Sequence, residues 1–176
     1  SPLRPGDVED LDGLKQWLLP RQYPQALAGA VRLLAARARS TGEIRQKLEA
    51  YGYMDDTVDM VLYKLEKEGL LDDEAFACEW AAARARHQIG RGRILRELVH
   101  KGVSRDVAER AVDALDREEG DAAALALAQK LLHRYAGEPD AKKAMAKLMA
   151  AMARRGYDFE SAHRAVEQAL EEAQGE

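Results

Sequence analysis

Repetition constrains this chain more than any other feature. Ile44, Leu48, Gly52, Val58, Val61, Leu62 and Leu65, each advanced by fifty positions, become Ile94, Leu98, Gly102, Ala108, Ala111, Val112 and Leu115. A further fifty-four gives Leu148, Met152, Gly156, Ala162, Ala165, Val166 and Ala169. Apolar positions stay apolar and the glycine stays glycine. A chain that repeats in this way stacks copies of one supersecondary unit, because a single copy has too little core to be stable alone. We expect an elongated, curved array of three related units that binds a partner and catalyses nothing.

Within each copy the apolar residues recur at helical spacing. Ala, Leu, Glu, Lys and Arg dominate and only five prolines occur, which favours helix over strand. The fold class is therefore all-α, a tandem array of three three-helix repeats resembling helix-turn-helix units. In the first copy Leu27, Ala30, Val31, Leu34 and Ala38 mark one helix. Ser40 stands three before Glu43, the spacing of a capping box. Ile44 and Leu48 form the inner face of the next helix, and Gly52 ends it through a left-handed cap. Asp55 or Asp56 starts the third, whose inner face is Val58, Val61, Leu62 and Leu65.

In the second copy Asp72 is an N-cap, with Leu71 and Phe76 spaced as a hydrophobic staple. Phe76, Trp80 and Ala83 face inward, and Gly90 with Gly92 breaks the chain before Ile94. Gly102 with Ser104 breaks it again. The third copy starts near Asp121 and uses Leu125, Ala128, Leu131 and Leu132, with a break from Gly137 to Pro139. These signals place the repeats at 25–69, 70–119 and 120–176. The preceding segment, 1–24, holds a short extra helix over 8–19 that ends at Pro20.

Several chemistries lack support. No glycine-rich phosphate loop with its Lys and Ser or Thr is present, and Gly90-Arg91-Gly92-Arg93 is only a turn. His87, His100, His133 and His163 have no metal-like spacing. Cys78 is the one cysteine, so no internal disulfide forms, and it reads as a plain half-buried thiol. Carboxylates share helix faces with Lys and Arg and read as solvated salt-laced surface. No apolar run reaches the roughly 18–20 residues of a membrane span. No signal peptide opens the chain, which begins Ser1-Pro2. We expect a cytoplasmic monomer without cofactor, metal or membrane contact.

Net charge is -4, but its placement is uneven. Acids cluster at the start (Asp7, Glu9, Asp10, Asp12) and the finish (Glu167, Glu171, Glu172, Glu176). Residues 84–101 hold Arg84, Arg86, Arg91, Arg93, Arg96 and Lys101 against one acid, Glu97. A lesser cluster, Arg37, Arg39, Arg45 and Lys47, lies in the first copy, with Arg32 upstream. Arg37, Arg39, Arg84 and Arg86 suit helix C-termini. Arg91, Arg93 and Arg96 stand at a helix start, against the dipole, and so point to an outside anion. Arginine offers planar, bidentate donors to carboxylate or phosphate.

The run Arg39-Ser40-Thr41-Gly42-Glu43-Ile44-Arg45-Gln46-Lys47-Leu48 resembles a known family signature, Arg-Ser-x-x-Glu-Leu-x-x-Lys-Leu. Leu65 to Phe76 (LEKEGLLDDEAF) resembles its Leu-x-x-x-Gly-Leu-Leu-Asp-Asp-x-x-Phe signature, continued by Ala77 and Trp80. Arg93 to Val103 (RILRELVHKGV) resembles the helix that follows. This is the RecX family of recombination regulators. The likeness is close over 26–115; residues 121–176 match mainly through Gly156-Tyr157. Leu3-Arg4-Pro5-Gly6-Asp7 resembles the tail of the family's variable N-terminal segment.

The resemblance implies a protein that binds the RecA recombinase filament on single-stranded DNA. It would lie along the filament groove and modulate, chiefly by inhibition, the filament's ATPase, strand-exchange and coprotease activities. The alternative is a stand-alone DNA-binding protein reading duplex sequence through Arg93, Arg96 and His100. The chain contains no Asn, and the equivalent helix of the first copy offers only Arg45, Gln46 and Glu49, which is thin equipment for base readout. A passive helical scaffold would leave Arg91, Arg93 and Arg96 unexplained.

Overall fold

A computed structural model describes residues 11–174, and these form nine helices and no strand. The first repeat contains α1 (Leu11–Ala36), α2 (Thr41–Ala50) and α3 (Asp55–Lys67). The second contains α4 (Asp73–Arg86), α5 (Arg91–His100) and α6 (Arg105–Asp113). The third contains α7 (Arg117–Tyr135), α8 (Ala141–Arg154) and α9 (Phe159–Gln174). The chain divides into two compact bodies between Phe76 and Ala77, within the first turn of α4, so all but the start of the second repeat shares one body with the third. None of the described helices is long and apolar enough to cross a membrane.

The first body is built on the aliphatic positions of the repeat. Ile44, Leu48, Val58 and Val61 are fully buried beneath Ala26 and Ala30 of α1. The Ser40 oxygen accepts from the Glu43 amide at 3.1 Å, and the Glu43 carboxylate accepts from the Ser40 amide at 3.2 Å, which completes the capping box. The start of α3 carries no cap of its own. Gln22 of α1 supplies one instead: its Oε1 accepts from the Met54 amide and the Thr57 hydroxyl, both at 3.1 Å. Asp72 accepts from the Ala75 amide at 2.9 Å, and Leu71 and Phe76 are both buried.

In the second body Ile94 and Leu98 of α5 are fully buried with Ala108 of α6. Leu148 and Met152 of α8 pack with Leu127 and Ala128 of α7 and Val166 of α9. The three repeat glycines end α2, α5 and α8 alike. Gly52, Gly102 and Gly156 have φ of 84°, 81° and 97°. The residue after each donates back to the last inner-face residue: Tyr53 to Leu48, Val103 to Leu98 and Tyr157 to Met152. This is the Schellman closure.

Four expectations are revised. No short helix ends at Pro20, because α1 runs unbroken through Pro20 and Pro24. Proline's fixed φ is itself helical, and each ring removes only the amide that would bond four residues back. The Arg21 guanidinium helps hold this stretch by donating to the Trp17 carbonyl at 2.8 Å while lying 3.9 Å from its ring centre. The third repeat begins earlier than Asp121, at Arg117, because Asp116 caps the Glu119 amide at 3.0 Å. Val31 of α1 and Ala38, which lies beyond its end, are exposed, and Leu33 takes an inner place. Cys78 is exposed. Asp7, Glu9, Asp10 and Glu176, with the Leu3 to Asp7 segment, lie outside the described residues.

Candidate functional site

In the first body most of the expected cations are already engaged. Arg37 forms a two-point pair with Glu43, its Nη2 to Oε1 at 3.0 Å and its Nη1 to Oε2 at 3.2 Å. The pair joins the end of α1 to the capping box of α2. Both interactions hold the guanidinium pKa above its ordinary value. Arg39 Nε donates to the Leu33 carbonyl at 3.2 Å. Arg45 pairs with Asp59 at 2.6 Å, tying α2 to α3, and lies 3.7 Å from Glu49. Only Lys47 of this set is exposed with no ion pair or hydrogen bond among the described residues.

In the second body a carboxylate sits at the centre of the arginine cluster. Glu97 accepts from Arg84 twice, at 2.7 Å each, and from Arg93 Nε at 3.0 Å. Arg84 and Glu97 side chains keep 28% and 21% of their exposure, so water weakens the pair only in part. Hydrogen bonding to Arg84 holds the Glu97 pKa below its ordinary value, against the effect of burial, with Arg93 adding to it. Lys101 lies 4.1 Å from the Trp80 ring centre and Arg84 at 5.8 Å. Arg86 and Arg96 are exposed and have no partner among the described residues.

The positive charge at the start of α5 has an internal account. Arg91 Nη2 donates to the Leu115 carbonyl, beyond the end of α6, at 2.6 Å. Arg93 Nη1 approaches the Arg154 carbonyl, at the end of α8, at 3.4 Å. The Gly90 and Gly92 amides donate to the carbonyls of Arg155 and Gly156 at 2.8 and 3.2 Å. The carbonyl-rich end of α8 thus faces the amide-rich start of α5, while the Arg91 side chain takes up a carbonyl just beyond α6. The dipole argument for an outside anion therefore does not hold for Arg91 and Arg93; Arg96 remains unaccounted for by internal contacts.

The same junction explains the glycines. A Cβ on Gly90 would fall 2.3 Å from the Gly156 carbonyl carbon, and one on Gly156 would fall 2.4 Å from Arg93 Cβ. No side chain fits in this backbone contact.

A second basic cluster joins Arg93 of the second repeat to cations of the third. A groove of about 360 Å³ is bounded by Arg93, Lys130, Arg134, Arg154 and Arg155, and no carboxylate lines it. Tyr135, Leu127, Leu131 and Ala151 complete its wall. Sequence reasoning singled out Arg93 but missed Lys130, Arg134, Arg154 and Arg155, because they join it only through the packing of α5, α7 and α8, and the repeat's acidic finish masks them. The like-charged Lys130–Arg134 pair at i, i+4 was the available signal. Among the described residues no group of three or more His, Cys, Asp or Glu side chains could hold a metal ion.

Three family models match in order: the first three-helix domain of RecX over residues 26–65, the second over 72–112 and the third over 118–166. The regulatory protein RecX of Amycolatopsis mediterranei is 34% identical over 152 residues, covering 86% of each chain. That of Mycolicibacterium vanbaalenii is 38% identical over 141 residues, 76% of each chain. Among solved structures, RecX from Lactobacillus salivarius superposes with a TM-score of 0.78 at 19% identity, over 86% of this chain and 98% of that one. A second structure of a regulatory protein RecX gives 0.77 at 23% identity, over 94% and 81%.

Proposed function

This chain belongs to the RecX family of regulatory proteins, and from that premise we propose that it binds a RecA recombinase filament on single-stranded DNA. By binding, it restrains the filament's ATPase, strand-exchange and coprotease activities, as a cytoplasmic monomer with no reaction of its own. The observation that carries this reading is the presence of all three RecX domains, in order, over residues 26–166.

The distribution of unpaired charge supports it. Lys47 in the first body, and Arg86 and Arg96 in the second, are exposed cations with no internal partner among the described residues. Several modest contacts on one chain raise avidity without any single strong site. Readout of duplex sequence by α5 is disfavoured, because Arg93 is held by Glu97 and turned toward the end of α8.

Single-strand-dependent ATP hydrolysis by the cognate RecA tests the proposal. Hydrolysis falls as the protein approaches stoichiometry with the recombinase. Unchanged hydrolysis at that ratio rules the proposal out, and tight binding to one duplex sequence would favour the stand-alone reader.

A further inference from the structure

We propose that the groove bounded by Arg93, Lys130, Arg134, Arg154 and Arg155 binds the phosphate backbone of a single-stranded nucleic acid directly, without the recombinase. This deepens the function proposed above and rests on it in taking the strand to be the one the recombinase coats.

The cations converge from separate elements. Arg93 comes from α5, Lys130 and Arg134 from α7, Arg154 from the end of α8 and Arg155 from its cap. Lys130, Arg134 and Arg154 are exposed, and their side chains have no ion pair or hydrogen bond among the described residues. No acid enters the groove lining, although the chain carries 31 acidic against 27 basic residues. Among the described residues, Arg93 alone in the groove is paired with a carboxylate, Glu97, whereas Arg37, Arg45, Arg84, Arg105 and Arg164 elsewhere each have one.

Helix ends explain part of this arrangement. Arg134 lies in the last turn of α7 and Arg154 in the last turn of α8, where positive charge is favoured. Lys130 lies more than a turn inside α7, and there it repels Arg134 at i, i+4. Fold stability gains nothing from that placement, whereas a bound polyanion does. Arginine's fork suits phosphate oxygens, and the half-buried Tyr135 beside the cations offers a ring for a base to stack on. Cations with an adjoining aromatic ring fit a single strand better than an acidic protein surface, which has no use for the ring.

The test uses the full chain and a fluorescent single-stranded dT oligomer, followed by anisotropy across a salt series with no recombinase present. The triple variant Lys130→Ala, Arg134→Ala, Arg154→Ala is expected to bind at least about tenfold more weakly. Its log–log salt slope should be shallower by about 2, at roughly 0.7 for each phosphate no longer neutralised. If circular dichroism shows that the triple variant has lost helix, the single changes Lys130→Gln and Arg154→Gln carry the comparison. Wild-type binding too weak to detect at low salt, or equal binding by wild type and variants, overturns the proposal. Stronger competition by poly-glutamate than by unlabelled dT overturns the nucleic-acid assignment. Neither failure alters the ATPase result, so loss of this site and loss of the regulatory reading are distinguishable. Groove-dependent binding without any effect on hydrolysis would sink the regulatory reading alone.

Discussion

Arginine position was legible in the sequence, but arginine employment was not. Arg91, Arg93 and Arg96 look alike as three cations at a helix start, yet their contacts differ. Arg91 is committed to the Leu115 carbonyl, 24 residues on, and Arg96 to nothing within the described chain. We therefore expect Arg91→Ala to cost about 1–2 kcal/mol in urea unfolding, since it removes a charged donor from a half-buried carbonyl. Arg96→Ala should stay within about 0.5 kcal/mol of wild type, like other exposed changes. Equal effects would show that the Leu115 contact is idle.

Glu97 adds a pH dependence. Its folded pKa lies below its ordinary value of 4.5, chiefly through the bond from Arg84. A lowered carboxylate pKa stabilises the fold fully above the ordinary value and loses that stabilisation as pH falls below it. Glu97→Gln should cost about 1 kcal/mol at pH 7, as a partly exposed pair does. It should also flatten the loss of stability between pH 5 and the acid limit, read by urea midpoints across pH.

Among the elements, the best-read were those whose signals are local. The Ser40–Glu43 box and the Asp72 cap each need only a few neighbouring residues, and both form as expected. Glycine at the end of α2, α5 and α8 follows from the left-handed closure that each helix makes. What stayed hidden depends on a second segment. Gln22 caps α3 from 32 residues away, and α1 continues through two prolines that would otherwise mark its end. Sequence periodicity also could not show that Gly156 serves two purposes, because Gly52 and Gly102 carry the same pattern. Gly52→Ala meets only the left-handed backbone cost, about 1–2 kcal/mol, since nothing lies within 4 Å of its added carbon. Gly156→Ala adds overlap with Arg93 Cβ at 2.4 Å and its amide nitrogen at 2.6 Å. We expect it to cost about 4 kcal/mol or more, among the large effects for one residue. Urea unfolding followed by helical circular dichroism checks the pair, and equal costs would mean that the α5–α8 contact yields freely.

For the whole molecule, the three-repeat order was readable from register alone, but the grouping into two bodies was not. The backbone approach of Gly90 to Gly156 binds the second and third repeats, and neither glycine announces the other. Function at this scale depends on how free cations outside the groove act together. Lys47 belongs to the first body and Arg86 and Arg96 to the second, so each set meets its own part of a repeating partner if the partner is a filament. Contacts on independent sites combine by multiplying their effects. Lys47→Ala alone, and Arg86→Ala with Arg96→Ala, should each raise the half-inhibitory concentration for the recombinase ATPase by a few fold, about 0.5–1 kcal/mol per exposed contact. The triple variant should show close to the product of the two factors, with its urea midpoint unchanged because none of the three has an internal partner among the described residues. A triple variant no weaker than the worse of its two parents would mean that one body alone carries the contact and that the tandem array is not used as an array.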